Sequence, residues 1–510
     1  MTPLTQVARP SLPTADSVPR SSRVIGVDVA RGVALFGMLA THVVAVVNEK
    51  GDPTTATVIA AGRSAATFVL IAGVGVAFIS GGRHVLRGPE RTAAAGGLVV
   101  RALLIGAIGL ALGTLAPFTN VEGILPFYAV LFLLAIPLIG LPPRVLAGVA
   151  AGLIVLGPVV LVATAPLGLP YARTELDPGF GVLVQDPLGM LVQLLITGEY
   201  PLLVYLAYLC AGLAIGRLDL TSRRVGWWLL GGGVALAVAA RSASALLLHP
   251  LGGLDALLSV GAPDVGTLLW EAQVLLAEAE SPVSWWYMAL PAPHSHTPVD
   301  LLHTLGSAGA VLGAALLLTR VPVVARALSP VAAAGSMALT LYTAHLVLLA
   351  TGLLRDQPAA LYLLMVLGAM AFAVVWRRWV GQGPLERIVA AAAGATRQHL
   401  AARLGRRGAI RPADGRGTSA RHRTARGAAQ FLVPLACAGL LLLAFVGGSR
   451  VGAHQDEAGA PVAGVEPTAA AAVAPVPTAP PGPAAAAEAA APQPDEETAL
   501  DEDEAIGEED

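Results

Sequence analysis

An all-α, polytopic membrane bundle is the fold class this sequence predicts, and three observations carry the prediction. Only 13% of the 510 residues are charged while 55% are hydrophobic, and the mean hydropathy is +0.70; a soluble domain carries about 25% charged residues. Apolar runs long enough to cross ~30 Å of hydrocarbon recur along the chain. Arginine gathers in alternate connections between those runs, as the positive-inside rule requires of a multi-pass protein. A soluble globular enzyme and a wholly disordered chain are both excluded, because each needs far more polar sequence.

Each element follows in order. Residues 1–22 are polar and lack the apolar core and cleavage site of a signal peptide. Spans are expected near 24–47, 57–80, 95–115, 123–140, 145–165, 189–215, 227–248, 299–319, 331–352, 359–379 and 429–448, about eleven in all. Runs this continuous read as helices, since lipid leaves no partner for an unpaired backbone amide. Arg20 and Arg23 precede the first span, whereas Glu49 and Asp52 outweigh Lys50 after it. Arg83, Arg87 and Arg91 follow the second, Arg144 the fourth, Arg217, Arg223 and Arg224 the sixth, and Arg320 and Arg326 the eighth. The loops near 166–188 and 249–298 are net acidic. This alternation places the N-terminus in the cytoplasm and, after an odd number of spans, the C-terminus outside.

The charge balance hides an asymmetry. Of 34 acidic residues, 14 follow Arg450, where no Arg or Lys occurs, so the first 450 residues hold 32 basic against 20 acidic. The expected plan is a cytoplasmic segment at 1–22, a ten-helix membrane domain at 23–386, an Arg-rich cytoplasmic linker at 387–427 resting on anionic lipid, a further span at 428–448, and an Ala/Pro-rich acidic tail at 449–510 that reads as disordered. Cys210 and Cys437 both sit in apolar runs, which argues against a disulfide framework.

Charge inside hydrocarbon costs at least ~2.5 kcal/mol near a helix centre, so buried charge marks function. In the first span Arg31 and His42 are eleven residues apart, three helical turns plus roughly 20°, which puts them on one side about 16 Å apart. Asp28 lies one turn below Arg31. Spacing leaves two readings open. In one, Arg31 pairs with Asp28 and snorkels while His42 is hydrogen-bonded at the interface; in the other, the stripe is a functional cation and imidazole. Arg63 either holds a substrate or pairs with Glu49 or Asp52. His294, His296 and His303 cluster at the start of the eighth span, more in keeping with lining an acceptor site than with metal, for which no site is expected. His345 either faces a cavity or is a satisfied bundle histidine. Glu199-Tyr200-Pro201 marks a re-entrant element or the start of the sixth span, and Glu122 has the same ambiguity. Arg101 is expected to reach the cytoplasmic interface.

Several stretches carry a family resemblance. Asp28-Val-Ala-Arg31-Gly-Val-Ala resembles the opening of heparan-alpha-glucosaminide N-acetyltransferase-like membrane proteins, and an arginine followed eleven residues later by a histidine resembles the first-helix motif of the wider transmembrane acyltransferase group. Gly62-Arg63-Ser64-Ala65-Ala66-Thr67-Phe68 and Ala72-Gly73-Val74-Gly75 are similar to the second helix of bacterial members. Pro293-His294-Ser295-His296-Thr297-Pro298, Leu341-Tyr342-Thr343-Ala344-His345 and Gly383-Pro384-Leu385-Glu386-Arg387 resemble boxes of uncharacterised bacterial relatives. The resemblance covers roughly 23–390. It departs at one point: the animal lysosomal enzymes carry asparagine where His42 stands and a functional histidine eleven residues further on, where this chain has Pro53.

The resemblance implies an acyltransferase with acetyl-CoA or another acyl-CoA as cytoplasmic donor and an extracytoplasmic glycan or small molecule as acceptor. It assigns His42, Arg31 and Asp28 to catalysis and Arg63, His294 and His345 to substrate binding. A secondary transporter or a flippase for a sugar- or lipid-linked substrate is the competing reading, because intramembrane charge and broken helices serve transporters equally. A membrane scaffold is a third reading; it accounts for the termini but not for a buried arginine and histidine on one face. The expected location is the plasma membrane. Lipids are the expected surroundings, nothing points to nucleic acid, and the oligomeric state stays open, a homodimer included.

Overall fold

In hydrocarbon the chain must satisfy its own amides, and the apolar runs do so as helices. The computed structural model describes residues 24–48, 52–119, 121–167, 178–259 and 284–408. Calls that fall on 1–22, on Glu49 and Lys50, on 409–427 of the Arg-rich linker, on the span at 428–448 with Cys437, and on the acidic tail lie outside the described residues. The helices include α1 (Ile25–Val43), α2 (Thr55–Ala60), α3 (Arg63–Ile79), α4 (Gly88–Leu112), α5 (Leu125–Leu138), α6 (Pro143–Thr164), α7 (Pro187–Val192), α8 (Leu202–Gly216), α9 (Arg223–Leu248), α10 (Pro298–Leu318), α11 (Ser329–Gly335), α12 (Ala338–Ala350), α13 (Pro358–Trp379) and α14 (Pro384–Gly408). Among the described residues there is no strand beyond one bridge, Val47 to Pro53.

This is a multi-pass helical membrane protein, and ten of the eleven expected spans fall among the described residues. Among the described residues seven helical segments are long and apolar enough to cross, and two bent pairs raise the number to nine. α5, at 14 residues, is shorter than a full span. The bends sit where the sequence interrupts helix formation. A π-helical turn at Gln193–Thr197 and the Gly198-to-Pro201 break separate α7 from α8 by 59°. The break at Ser336-Met337 separates α11 from α12 by 81°.

Close crossings hold the bundle, because apolar burial cannot drive helices together in lipid and backbone approach must do so. A Cβ at Gly73 or Gly212 would strike the facing backbone, which locks α3 against α8. Gly233 and Gly306 do the same for α9 and α10. α1 meets α11 through Gly32 beside Val331 and Gly335 beside Asp28. Up to Gly408 the Arg-rich stretch is a helix, and its neighbour is α4, where Gly97 admits the Ala393 carbonyl and Arg397 donates to the Ile79 carbonyl at 2.7 Å.

Arg217, at the end of α8, ties three helix ends together. It is only 5% exposed. Its Nη1 donates to the carbonyls of Ser80 (3.1 Å) and Gly82 (2.7 Å), and its Nη2 to Ser80 Oγ (3.1 Å) and the Ile139 carbonyl (2.7 Å). Those carbonyls lie beyond the C-termini of α3 and α5, where cations are favoured and acceptors are orphaned. Arg217→Ala should therefore cost about 3 kcal/mol or more, since a charged hydrogen bond is worth ~1.5–3 kcal/mol and the acceptors stay buried. Thermal unfolding in detergent measures it, and Arg217→Lys should recover only part, lacking the planar fork.

Candidate functional site

A cation at depth in the bundle needs its donors partnered. Arg31 Nη1 lies 3.5 Å from Asp28 Oδ1 and 3.4 Å from the Gly335 carbonyl, the last of α11. The Arg31 side chain is 25% exposed against 7% for Asp28, so the cation is the accessible member of the pair. It faces a cavity of about 230 Å³ whose wall also includes Arg101, Tyr128, Tyr342, Ser336 and Glu386. Arg101 thus lines the same cavity as Arg31, where the sequence suggested the interface. Arg101 Nε and Tyr128 Oη are buried and have no hydrogen-bond partner among the described residues.

Tyr342 joins this cavity to the histidines. Its hydroxyl accepts the Ile124 amide at 3.2 Å, and its ring meets His345 edge-on with centroids 4.8 Å apart. His345 Nε2 lies 3.0 Å from His42 Nδ1, with the rings stacked at 5.2 Å. Such a bond needs one ring nitrogen to donate and the other to accept, so the pair holds at most one positive charge. It leaves Nε2 of His42 for other chemistry. The two residues stand 303 positions apart in sequence, and α1 and α12 bring them together.

A second polar group is built around His294. His294 Nδ1 sits 3.1 Å from Glu199 Oε1 and 3.5 Å from the Tyr205 hydroxyl. His296 Nε2 donates to the Glu199 carbonyl at 3.1 Å, while its amide donates to Asp300 Oδ2 at 3.3 Å. Both histidines hold left-handed backbone, φ 58° and 57°, a conformation costing roughly 1–3 kcal/mol and kept only where the surroundings enforce it. The enforcement is visible: Thr297 Oγ1 donates to the Leu290 carbonyl at 2.7 Å and caps α10 by accepting the Asp300 amide at 3.0 Å.

Arg63 belongs to this end but not to the His294 contacts. Its Nε donates to His303 Nε2 at 3.0 Å, and His303 Nδ1 donates to the Ala237 carbonyl at 3.1 Å. Asp52, one of the partners weighed for Arg63, is bonded to Asn48 instead. The Glu199 break lines the site: its amide donates to Glu122 Oε2 at 3.1 Å, so Glu122 anchors the bend. Among the described residues no three His, Cys, Asp or Glu side chains converge in a metal-holding group.

Sequence reasoning located Arg31 with Asp28, but not the partners of His42, the unpartnered Tyr128, or Glu386 on the cavity wall. Tyr342 and Glu386 lay inside boxes already noticed; what was missing was the pairing, which spacing along one helix cannot show.

Comparison with known families matches the chain in two parts. Residues 23–248 match the family model described as heparan-alpha-glucosaminide N-acetyltransferase, catalytic. Residues 265–394 match a family described as a protein of unknown function, DUF418. No curated protein and no solved structure matches the chain significantly. Arg31, Arg63 and His42 fall in the first region; His294, His345 and Glu386 fall in the second.

Proposed function

We propose that this heparan-alpha-glucosaminide N-acetyltransferase-like membrane protein, as residues 23–248 identify it, moves an acyl group from acyl-CoA, acetyl-CoA first among the candidates, to a glycan or similar small acceptor across the plasma membrane. The observation that supports this best is continuity: a cavity carrying Arg31 and Arg101 runs to Tyr342, whose ring touches the His345–His42 pair. On this reading the Arg31 end faces the cytoplasm, where acyl-CoA is held by its phosphates, and the His42 end faces the acceptor.

The chemistry then follows from the groups in place. Arginine suits phosphate because its planar donors bind two oxygens at once; Asp28 and the Gly335 carbonyl hold Arg31 from behind. His345 fixes the ring of His42 through Nδ1, and Nε2 takes the proton of the acceptor hydroxyl or amine as that group attacks the thioester carbon. The tetrahedral adduct collapses, the C–S bond breaks, and the imidazolium returns its proton to the departing thiolate. Tyr128, whose hydroxyl has no partner among the described residues, supplies a donor on the cavity wall for the developing oxyanion. Arg63, with His303, and His294, with Glu199, line the acceptor side.

One observation favours the transporter reading: α11 and α12 form a broken helix, the device that transporters use to aim half-helix ends at cargo. Here those ends already meet protein groups, Arg31 at the α11 carbonyl and Glu386 at the α12 amides. The two readings separate in detergent, where no gradient exists. Purified protein given labelled acyl-CoA and a glycan acceptor should release CoA. Arg31→Ala should raise the apparent KM for donor, and Arg31→Lys should restore part of the loss. Gradient-driven uptake in sealed vesicles without thioester cleavage would replace this reading with transport.

A further inference from the structure

Glu386 has a job that the reading above does not use. The 81° bend gives α12 an N-terminus of its own, and Met337, at its N-cap, offers no side-chain acceptor. The first amides of a helix have no partner within it, and in lipid an orphaned amide is costly. A carboxylate from 46 residues further on fills the gap. Glu386 Oε1 accepts the amides of Leu339 (2.7 Å) and Thr340 (3.1 Å), while Oε2 accepts the Thr340 hydroxyl at 2.6 Å. The hydroxyl in turn accepts the Leu385 amide at 3.1 Å, so the two chain segments are laced in both directions.

Because α12 is cut off from α11, this clamp rather than helix continuity sets how far α12 is rotated about its own axis. The same helix carries Tyr342, two residues past Thr340, and His345, five past it. Side chains reach ~5–6 Å from a helix axis, so a turn of ~10° carries a ring nitrogen by ~1 Å. That would open the 3.0 Å bond between His345 and His42. We infer that Glu386 is a positioning residue for the His42–His345 pair, and that the region matched by a family of unknown function supplies both the second imidazole and the device that aims it.

This rests on the acyltransferase reading for its kinetic arm alone; a chemical arm tests it without activity. The full chain is prepared in detergent as wild type, Glu386→Ala and Glu386→Gln. Glutamine keeps an oxygen for the two amides, and its NH₂ can donate to the Thr340 hydroxyl, which has lone pairs to spare. Glu386→Ala should lower kcat per folded molecule by about 10–100-fold. Donor KM should stay or fall, because the lost carboxylate stands on the wall of the cavity that receives anions. Glu386→Gln should recover most of kcat. In parallel, carbethoxylation of His345 and His42 by diethylpyrocarbonate, read by mass spectrometry, should speed up several-fold in the alanine variant and not in the glutamine variant. A residue that merely stabilises the fold gives another pattern: lower melting temperature, unchanged turnover per folded molecule and unchanged histidine reactivity. That result overturns the inference. If the wild type never cleaves acyl-CoA, the acyltransferase reading falls, and histidine reactivity alone decides whether Glu386 aims the pair.

Discussion

Replacing His42 by alanine should lower kcat for acyl transfer by about 10²–10⁴-fold, the usual worth of a positioned general base, with donor binding nearly unchanged. The expectation follows from its place. His42 lies in the last turn of α1, at the end away from Arg31, bonded through Nδ1 to His345 with Nε2 outside that bond. His345→Ala should cost less, because the base survives and only its aim is lost. His42→Asn is the more telling change. The animal lysosomal enzymes that the first helix resembles combine asparagine there with a later histidine, but Pro53 occupies that later position here and is bridged to Val47 outside any helix. The asparagine variant should therefore stay inactive. Were the histidines only satisfied bundle residues, all three variants would unfold at lower temperature yet keep their turnover per folded molecule. Turnover normalised to folded protein makes the comparison, and wild-type turnover in a folded His42→Ala protein would end the mechanism.

The second large effect is expected at a residue without a side chain. A Cβ added at Gly335 would meet the backbone of Asp28 and Gly32 on α1, atoms that cannot swing aside. Gly335→Val should push α11 from α1 at a cost of about 1–3 kcal/mol or more. It should also raise donor KM, because the Gly335 carbonyl that holds Arg31 moves with it. Gly368 on α13 has nothing within 4 Å of the same added atom, so Gly368→Ala should be neutral or slightly stabilising through helix propensity. Thermal unfolding and donor kinetics on the two variants check both statements; equal behaviour would mean that the α1–α11 crossing is not close.

The legible part of this protein was what hydrocarbon dictates locally. Apolar length marked the positions of α1, α4, α6, α9, α10 and α13, and the interruption at Glu199-Tyr200-Pro201 marked a bend. The bend at Ser336-Met337 was not visible, because both residues sit comfortably in an apolar helix and the carboxylate that caps the new helix start, Glu386 of α14, lies far along the chain. α5 read as a full span because composition cannot tell a 14-residue helix with apolar flanks from a longer one. In the site, the Asp28–Arg31 pair was readable since i,i+3 neighbours share a helix face. The meeting of His42 with His345 and of His294 with Glu199 was not, since it depends on helix crossings that a single sequence does not encode in its spacing.

The small residues along α1 have one more consequence. Gly26 abuts Leu316 of α10, Gly32 and Gly335 bring α11 to the backbone of α1, and Gly37 receives Ser64 of α3. Arg31 and His42 ride on one continuous helix, so the roughly 16 Å between them is fixed by its rise, and packing at this range against three other helices holds that helix in place. α1 is then a ruler. A donor whose anionic group rests at one mark presents its reactive bond at the other only if its arm has the matching length, and molecules that are shorter or longer bind at one end without reaching the imidazole. On the proposed acyl-transfer reading, selection among thioesters would be made by length, before any contact with the acyl group itself.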